Sequence, residues 1–273
     1  MRKTDLKTEK LVCNLYRKNV ALADITDKAG VSIGTVHRIL ERNDVPRNRK
    51  TGPRKLLACD ENYFETLTKQ SAYWLGFIMA DGSVGKGGSG SWQLRIKLAL
   101  KDKDHLHTFK SDIGSDHQFR TGLTKDGHPY CVLGISRKKI TDDLREWGVI
   151  PNKTKSLSLP EVPSSLFRHY LRGYFDGDGS FYLRKKSKTP QLVFNLRSST
   201  EGYLLQIREE LTAHTGVVFG QVYSDPHADA YSLTCEGNGK SAKIFHWMYH
   251  NASRFLPRKY HLAARHLAEH GDE

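Results

Sequence analysis

The chain has 273 residues, and 43 Lys and Arg against 30 Asp and Glu give a formal net charge of +13. A hydrophobic content of 38% excludes a disordered chain, and ordinary Gly and Pro counts (23 and 9) exclude collagen-like and low-complexity classes. The most apolar stretch, Tyr73 to Ala80, is far shorter than the roughly twenty residues of a membrane span, and the first ten residues have no apolar run of the secretory kind. Four cysteines (Cys13, Cys59, Cys131, Cys235) lie far apart without a CxxC. They read as free thiols in a reducing, cytoplasmic setting. The positive excess points to a polyanionic partner. Nucleic acid comes before an anionic membrane, because no amphipathic helix with a Lys-rich face stands out.

In chain order, the first expected element is a helix over residues 8–18 with Leu11, Val12, Leu15 and Tyr16 as its apolar stripe. Residues 22–40 follow with the layout of a helix-turn-helix. Ile25 and Ala29 face a core, Gly30 supplies a left-handed turn, Ser32 caps the next helix, and Val36, Ile39 and Leu40 bury its inner side. The pattern is similar to the helix-turn-helix of resolvases and many bacterial regulators. It places Ile33, Thr35, His37 and Arg38 toward a major groove. A plain three-helix bundle without DNA contact fits the same residues. Next comes a segment rich in Arg and Lys that also holds Pro46, Gly52 and Pro53. It reads as a linker whose Arg47, Arg49, Lys50 and Arg54 either follow phosphates or are simply solvated. The expected organisation is residues 1–42 as a small all-α domain, 43–62 as linker, and two larger repeats, 63–160 and 161–273.

The repeats emerge from self-similarity. The stretch Trp74 to Val84 recurs as Leu171 to Phe181, with Asp81 and Asp178 in register. Gln93 to Leu98 likewise matches Gln191 to Leu196, and Leu106 and Leu204 hold equivalent places in the helical stretches that follow. Each copy starts with a helix carrying small residues four apart, Gly76 and Ala80, then Gly173 and Gly177. That spacing puts them on one face and lets two helices meet at close range about a pseudo-twofold axis. Each helix ends in Asp-Gly-Ser, so Asp81 and Asp178 are expected side by side, with a divalent cation relieving their repulsion. Hard oxygen ligands suit Mg²⁺. Alternation in the strands gives each sheet an apolar side and a basic, amide-rich side. The polar sides carry Ser83, Gln93, Arg95 and Lys97 in one copy, and Ser180, Tyr182, Arg184, Gln191, Asn195 and Arg197 in the other. Such side chains pair with base edges, although a polar strand face is also often only solvated. Lys186, in the run Arg184 to Lys188, falls at a hairpin tip placed to touch phosphates.

These residues resemble the LAGLIDADG, or dodecapeptide-type, homing endonucleases of the double-motif single-chain kind. The motif copies read WLGFIMADG and LRGYFDGDG, and segments around Lys153 and Lys259 resemble those that close each repeat. The likeness spans roughly residues 70 to 262. It implies an α+β fold of two αββαββα repeats whose antiparallel sheets form a saddle on double-stranded DNA. It implies Asp81 and Asp178 as catalytic, metal-binding acids, with the backbone carbonyls of Ala80 and Gly177 as further metal contacts. Lys153 and Lys259 are implied near the scissile phosphates. The cofactor would be Mg²⁺, with Mn²⁺ or Ca²⁺ able to occupy the site. The implied reaction cuts one phosphodiester per strand across the minor groove and leaves 3′ overhangs. A monomeric, free-standing enzyme of a bacterium or phage-infected cell is expected.

Two departures stand out. Met79 occupies the place of Asp176, and Arg172 and Tyr174, bulkier than their counterparts, are expected on outer helix faces. His246 with His250 and His266 with His270 are four apart, but no Cys or acid completes a zinc signature. Two other functions fit the same scaffold: a DNA-binding regulator that does not cut, and an RNA maturase.

Overall fold

The computed structural model describes residues 4–46, 57–87, 90–151, 156–185, 189–226 and 228–270. Its first helices are α1 (Leu6–Arg17), α2 (Leu22–Ala29) and α3 (Ile33–Arg42). Asp5 caps α1 by accepting the Thr8 amide at 2.6 Å, and Ser32 caps α3 through the Thr35 amide. Gly30 ends α2 with φ 63°, a conformation in which a Cβ is disfavoured. Val12, Cys13, Ile25, Val36, Ile39, Leu40 and Val45 form the core. Leu11, expected in the stripe, is 40% exposed, and Cys13 takes an inward place. Glu9 is held between Arg42 (2.5 Å) and Asn43, which ties α1 to α3.

The chain divides into two units, Met1–Leu56 and Leu57–Glu273. Of the residues expected as linker, the described ones pack with one unit or the other. Val45 is buried in the first core, while residues 57–62 are stitched to the second unit. The Asp60 amide donates to the Ile113 carbonyl, the Asp116 amide to the Ala58 carbonyl, and Arg137 reaches both the Leu57 carbonyl and Glu61. Arg47, Arg49, Lys50 and Arg54 lie outside the described residues.

The second unit runs α4 (Lys69–Asp81), β1 (Gly82–Lys86), β2 (Trp92–Ala99), α5 (Lys103–Asp112), β3 (Arg120–Leu123), β4 (Pro129–Ile135) and α6 (Lys138–Glu146). It then repeats the order as α7 (Ser164–Asp178), β5 (Gly179–Arg184), β6 (Gln191–Ser198), α8 (Glu201–Thr215), β7 (Tyr223–Asp225), β8 (Ala230–Glu236) and α9 (Asn238–Tyr249). A further helix, α10 (Pro257–His270), follows. Each half is thus αββαββα with one antiparallel sheet, ordered β1-β2-β4-β3 and β5-β6-β8-β7. The apolar strand faces (Leu94, Ile96, Leu133; Leu192, Phe194, Leu196, Leu233) are buried in one core shared by both halves.

The halves join through α4 and α7. A Cβ on Gly76 would lie 1.9 Å from the Tyr170 carbonyl oxygen, and one on Gly173 would lie 1.8 Å from that of Tyr73. One turn on, a Cβ on Gly177 would fall 2.3 Å from that of Ala80. The two backbones therefore touch with nothing between them. The strand entries need glycine for a related reason. Gly82 and Gly179 are extended (φ −91° and −108°), but a Cβ would strike the Ile78 carbonyl at 2.7 Å or the Phe175 ring at 2.2 Å.

Arg172 and Tyr174 correct the expectation of outer helix faces: they are 1% and 0% exposed. Helix α7 is covered by α9 as well as by α4, so little of it faces water. The Arg172 guanidinium donates to the carbonyls of Arg254 (2.7 Å) and Met248 (2.6 Å) and lies 2.9 Å from His169 Nδ1. The Tyr174 hydroxyl donates to the Arg197 carbonyl at 3.0 Å.

Alanine at Gly76 or Gly173 must push the motif helices apart. Each substitution is expected to destabilise the protein by about 3 kcal/mol or more, read as a lower urea midpoint. Alanine at Gly202 in α8, where a Cβ meets nothing within 4 Å, is the control and should change stability by less than about 1 kcal/mol.

Candidate active site and nucleic-acid interface

Asp81 and Asp178 are the last residues of α4 and α7, and both are exposed. The glycine contact brings these ends together: Asp81 Oδ2 lies 3.3 Å from the point where a Gly177 Cβ would sit. Two helix C-termini and two carboxylates thus gather at one spot, where the helix dipoles add to the negative charge. Among the described residues no group of three or more His, Cys, Asp or Glu is placed to hold a metal. The donors on hand are two carboxylates and the carbonyls of Ala80 and Gly177. All are hard oxygens, and that set fits a magnesium-like ion.

Lys259, on α10, enters from the second half. Its ammonium donates to the carbonyls of Phe175 (3.0 Å), Asp176 (2.7 Å), Gly177 (3.0 Å) and Gly179 (2.6 Å). It is buried, which pushes its pKa down to about 8 against the pull of Asp176, Asp81 and Asp178. Lys259 therefore caps the C-terminus of α7, and the Gly177 carbonyl already has one partner. Lys153, its expected counterpart, lies outside the described residues.

Asp176, two residues before Asp178, anchors a polar cluster that the sequence reading missed. Its buried Oδ2 accepts from the Tyr73 hydroxyl of α4 and from the Leu256 amide, both at 2.7 Å. Tyr73 in turn lies 2.8 Å from His105 Nε2 on α5. Burial raises the Asp176 carboxyl to about 6, although the Tyr73 hydroxyl and the Lys259 charge oppose the rise. Nearby, Arg254 grips Asp112 through two 2.7 Å bonds, and Trp74 donates to the same carboxylate. The Met79/Asp176 difference between the motif copies was the only sequence sign of this cluster.

The strand register shows which side chains share the polar faces. Ser83, Arg95 and Gly134 form one row of the first sheet, and Lys97, Val132 and Arg120 the next. Gln93 donates to Ser136, and the Lys97 ammonium sits 4.0 Å above the Tyr130 ring. In the second sheet Ser180, Asn195 and Thr234 are aligned, as are Tyr182, Val193 and Glu236, and Ser232 lies between Arg197 and Tyr223. Arg184 pairs with Glu236 (2.7 Å) and Arg197 with Asp225 (2.8 Å). Arg120, Tyr130, Thr234, Glu236 and Asp225 were not anticipated, although alternation along β4 and β8 carries the signal. Lys186 lies outside the described residues. In the first unit Arg38 and Ile33 are exposed, while Thr35 and His37 are half-buried, with Thr35 engaged by Ser32 at the cap.

No protein-family model and no curated protein matches the chain. Solved structures do. The LAGLIDADG homing endonuclease I-SmaMI bound to cleaved DNA aligns with TM-score 0.51 and 16% identity, over 74% of this chain and 88% of that one. The LAGLIDADG homing endonuclease I-GzeII in complex with its DNA target aligns at TM-score 0.47 and 12% identity, over 75% and 91%. The second unit has the two-repeat LAGLIDADG fold.

Burial of His105 has a pH consequence. Desolvation, with Arg258 and Arg254 nearby, holds its pKa at about 4, below the ordinary 6.5. Below pH 6.5 the unfolded chain takes up a proton that the folded chain refuses, so stability is lost as pH falls toward 4. His105→Gln should lose less stability across that window, by up to about 3 kcal/mol, in urea melts at stepped pH.

Proposed function

We propose that the chain is a site-specific double-strand DNA endonuclease that hydrolyses one phosphodiester on each strand and needs a divalent cation. The observation that carries the reading is the meeting of Asp81 and Asp178 at two helix ends locked by glycine contact. A fold that forces two backbones together leaves little freedom in where its two acids sit. The polar sheet faces on β2 and β6, with Arg95, Lys97, Asn195 and Arg197, supply groups that recognise base edges and phosphates. The fold shared with I-SmaMI supports the same reading.

In this mechanism Asp81 and Asp178 would hold the ion, with the carbonyls of Ala80 and Gly177 beside them. When bound there, such an ion would supply water activation and neutralise charge at the phosphate. Lys259 keeps the end of α7 in place through its four carbonyl contacts. It also adds positive charge where a phosphate would approach. The first unit is read as a helix-turn-helix that adds duplex contacts through Arg38 and its neighbours. It also favours a second reading, a regulator that binds without cutting. The acid pair argues against that reading, since nothing in folding calls for two exposed carboxylates at one point.

A plasmid-library cleavage assay with purified protein, in Mg²⁺ and in EDTA, decides between them. Discrete cuts with 3′ overhangs that depend on Mg²⁺ are expected, and tight binding without cuts would favour the regulator. Asp81→Asn and Asp178→Asn should each abolish cleavage and leave duplex binding within about twofold, measured by gel shift. Loss of both activities would make the acids structural. Deleting residues 1–55 should weaken binding and flatten its salt dependence as phosphate contacts are lost. Unchanged binding would remove the first unit from DNA recognition.

A further inference from the structure

The polar faces of the two sheets differ in charge. On the first, Arg95, Lys97 and Arg120 are exposed, and none makes an ion pair among the described residues. On the second, the strand arginines are matched by acids of the same sheet. Arg184 bridges Glu236 at 2.7 Å and donates to the Tyr182 hydroxyl at 3.1 Å, and Arg197 bridges Asp225 at 2.8 Å. The strand residues of the first face carry three net positive charges, and those of the second carry none.

Both pairs are partly open to solvent, and ion pairs of that kind add only modestly to folding stability. Their effect on a polyanion is larger. A carboxylate beside an arginine cancels the charge that would otherwise displace counterions from DNA, and it repels phosphate directly. It also fixes the planar guanidinium fork, the group that pairs with the O6 and N7 of guanine, and its own oxygen can accept from the N4 of cytosine. The acids therefore weaken sequence-independent attraction while leaving hydrogen-bonding capacity in place.

We propose that Glu236 and Asp225 are specificity-determining residues, and that the two sheets divide the work: the first anchors the duplex by charge and the second reads its sequence. This rests on the reading of the sheet faces as a duplex-binding surface. Arg95, Lys97 and Arg120 dominate the salt dependence of binding. Arg184 and Arg197 contribute little to it, because their charges are already compensated in the free protein.

The test uses the full-length chain and two probes, a fluorescein-labelled mixed-sequence duplex and a randomised duplex pool. Affinity for the first is measured by anisotropy from 50 to 300 mM salt. Arg95→Gln, Lys97→Gln and Arg120→Gln should each lower the slope of log K against log salt by about one, and Arg184→Gln and Arg197→Gln by less than about half of that. Glu236→Gln and Asp225→Asn, near-isosteric changes at half-buried positions, should bind the mixed duplex several-fold more tightly and steepen the slope by about one. Selection from the pool should show these two variants losing base preference on one half of the bound site only. Equal slope losses for the arginines of both sheets overturn the proposal, as do carboxylate variants that leave affinity, slope and preference unchanged. A wild-type chain that does not bind duplex DNA overturns the duplex-binding reading and this proposal together. Salt-dependent binding by the wild type with no difference between the sheets overturns the division of labour alone.

Discussion

The structure depends on one contact, the backbone-to-backbone meeting of α4 and α7 at Gly76 and Gly173. No side chain larger than hydrogen fits there, and the contact is reciprocal: each glycine faces the carbonyl of the residue three positions before the other. A helix pair at ordinary spacing holds its partner through layers of side chains that can repack. Here the backbones are the contact, so the pair has little room to slide or tilt. Both helices end one residue past Ala80 and Gly177, and both sheets begin directly from those ends. The position of the acids and the start of each polar face therefore follow from two hydrogen atoms.

The same closeness creates an electrostatic difficulty. Two helix C-termini and the Asp81 and Asp178 carboxylates concentrate negative charge, and Asp176 adds a buried carboxyl behind them. The protein meets part of it internally. Lys259 spends its donors on the last carbonyls of α7, while the Tyr73 hydroxyl and Leu256 amide serve Asp176. Asp81 and Asp178 themselves stay exposed at the helix ends. The buried cluster is one-sided: Met79 on α4 has no carboxyl to match Asp176. The cluster instead joins α4, α5, α7 and the loop before α10, and so pins the C-terminal helix that carries Lys259.

Much of this was legible in the sequence because it depends on spacing. Glycines four apart, repeated motifs and alternating strands are periodic features, and they placed α4, α7, β2 and β6 and predicted that Asp81 and Asp178 would meet. The misses have a common origin. Arg172 and Tyr174 looked like surface residues, because one motif cannot reveal that α9 covers Arg172 and that β6 and α8 cover Tyr174. Leu11 looked inward until the packing of α2 and α3 gave Cys13 the place. Asp225 and Glu236 come from strands far along the chain from the arginines they bind, and no local pattern joins residues 28 or 52 positions apart. At Gly82 and Gly179 an extended backbone would tolerate any residue, but the Ile78 carbonyl and the Phe175 ring do not, and no local pattern shows that.

Joining two copies of one fold in a single chain also frees each copy to change alone. In a symmetric dimer, a carboxylate added beside an arginine appears twice and weakens polyanion binding on both sides. In a fused pair it appears once. The described chain has used that freedom in at least three places. Asp176 has no counterpart in the first motif, and among the described residues no helix like α10 follows α6 and the acids of the second sheet have none on the first. All three lie in the second half, while the first keeps the uncompensated cations. The glycine contact is symmetric because the geometry of two touching helices requires it. Away from that contact the halves need not stay alike, and the charges on their polar faces differ.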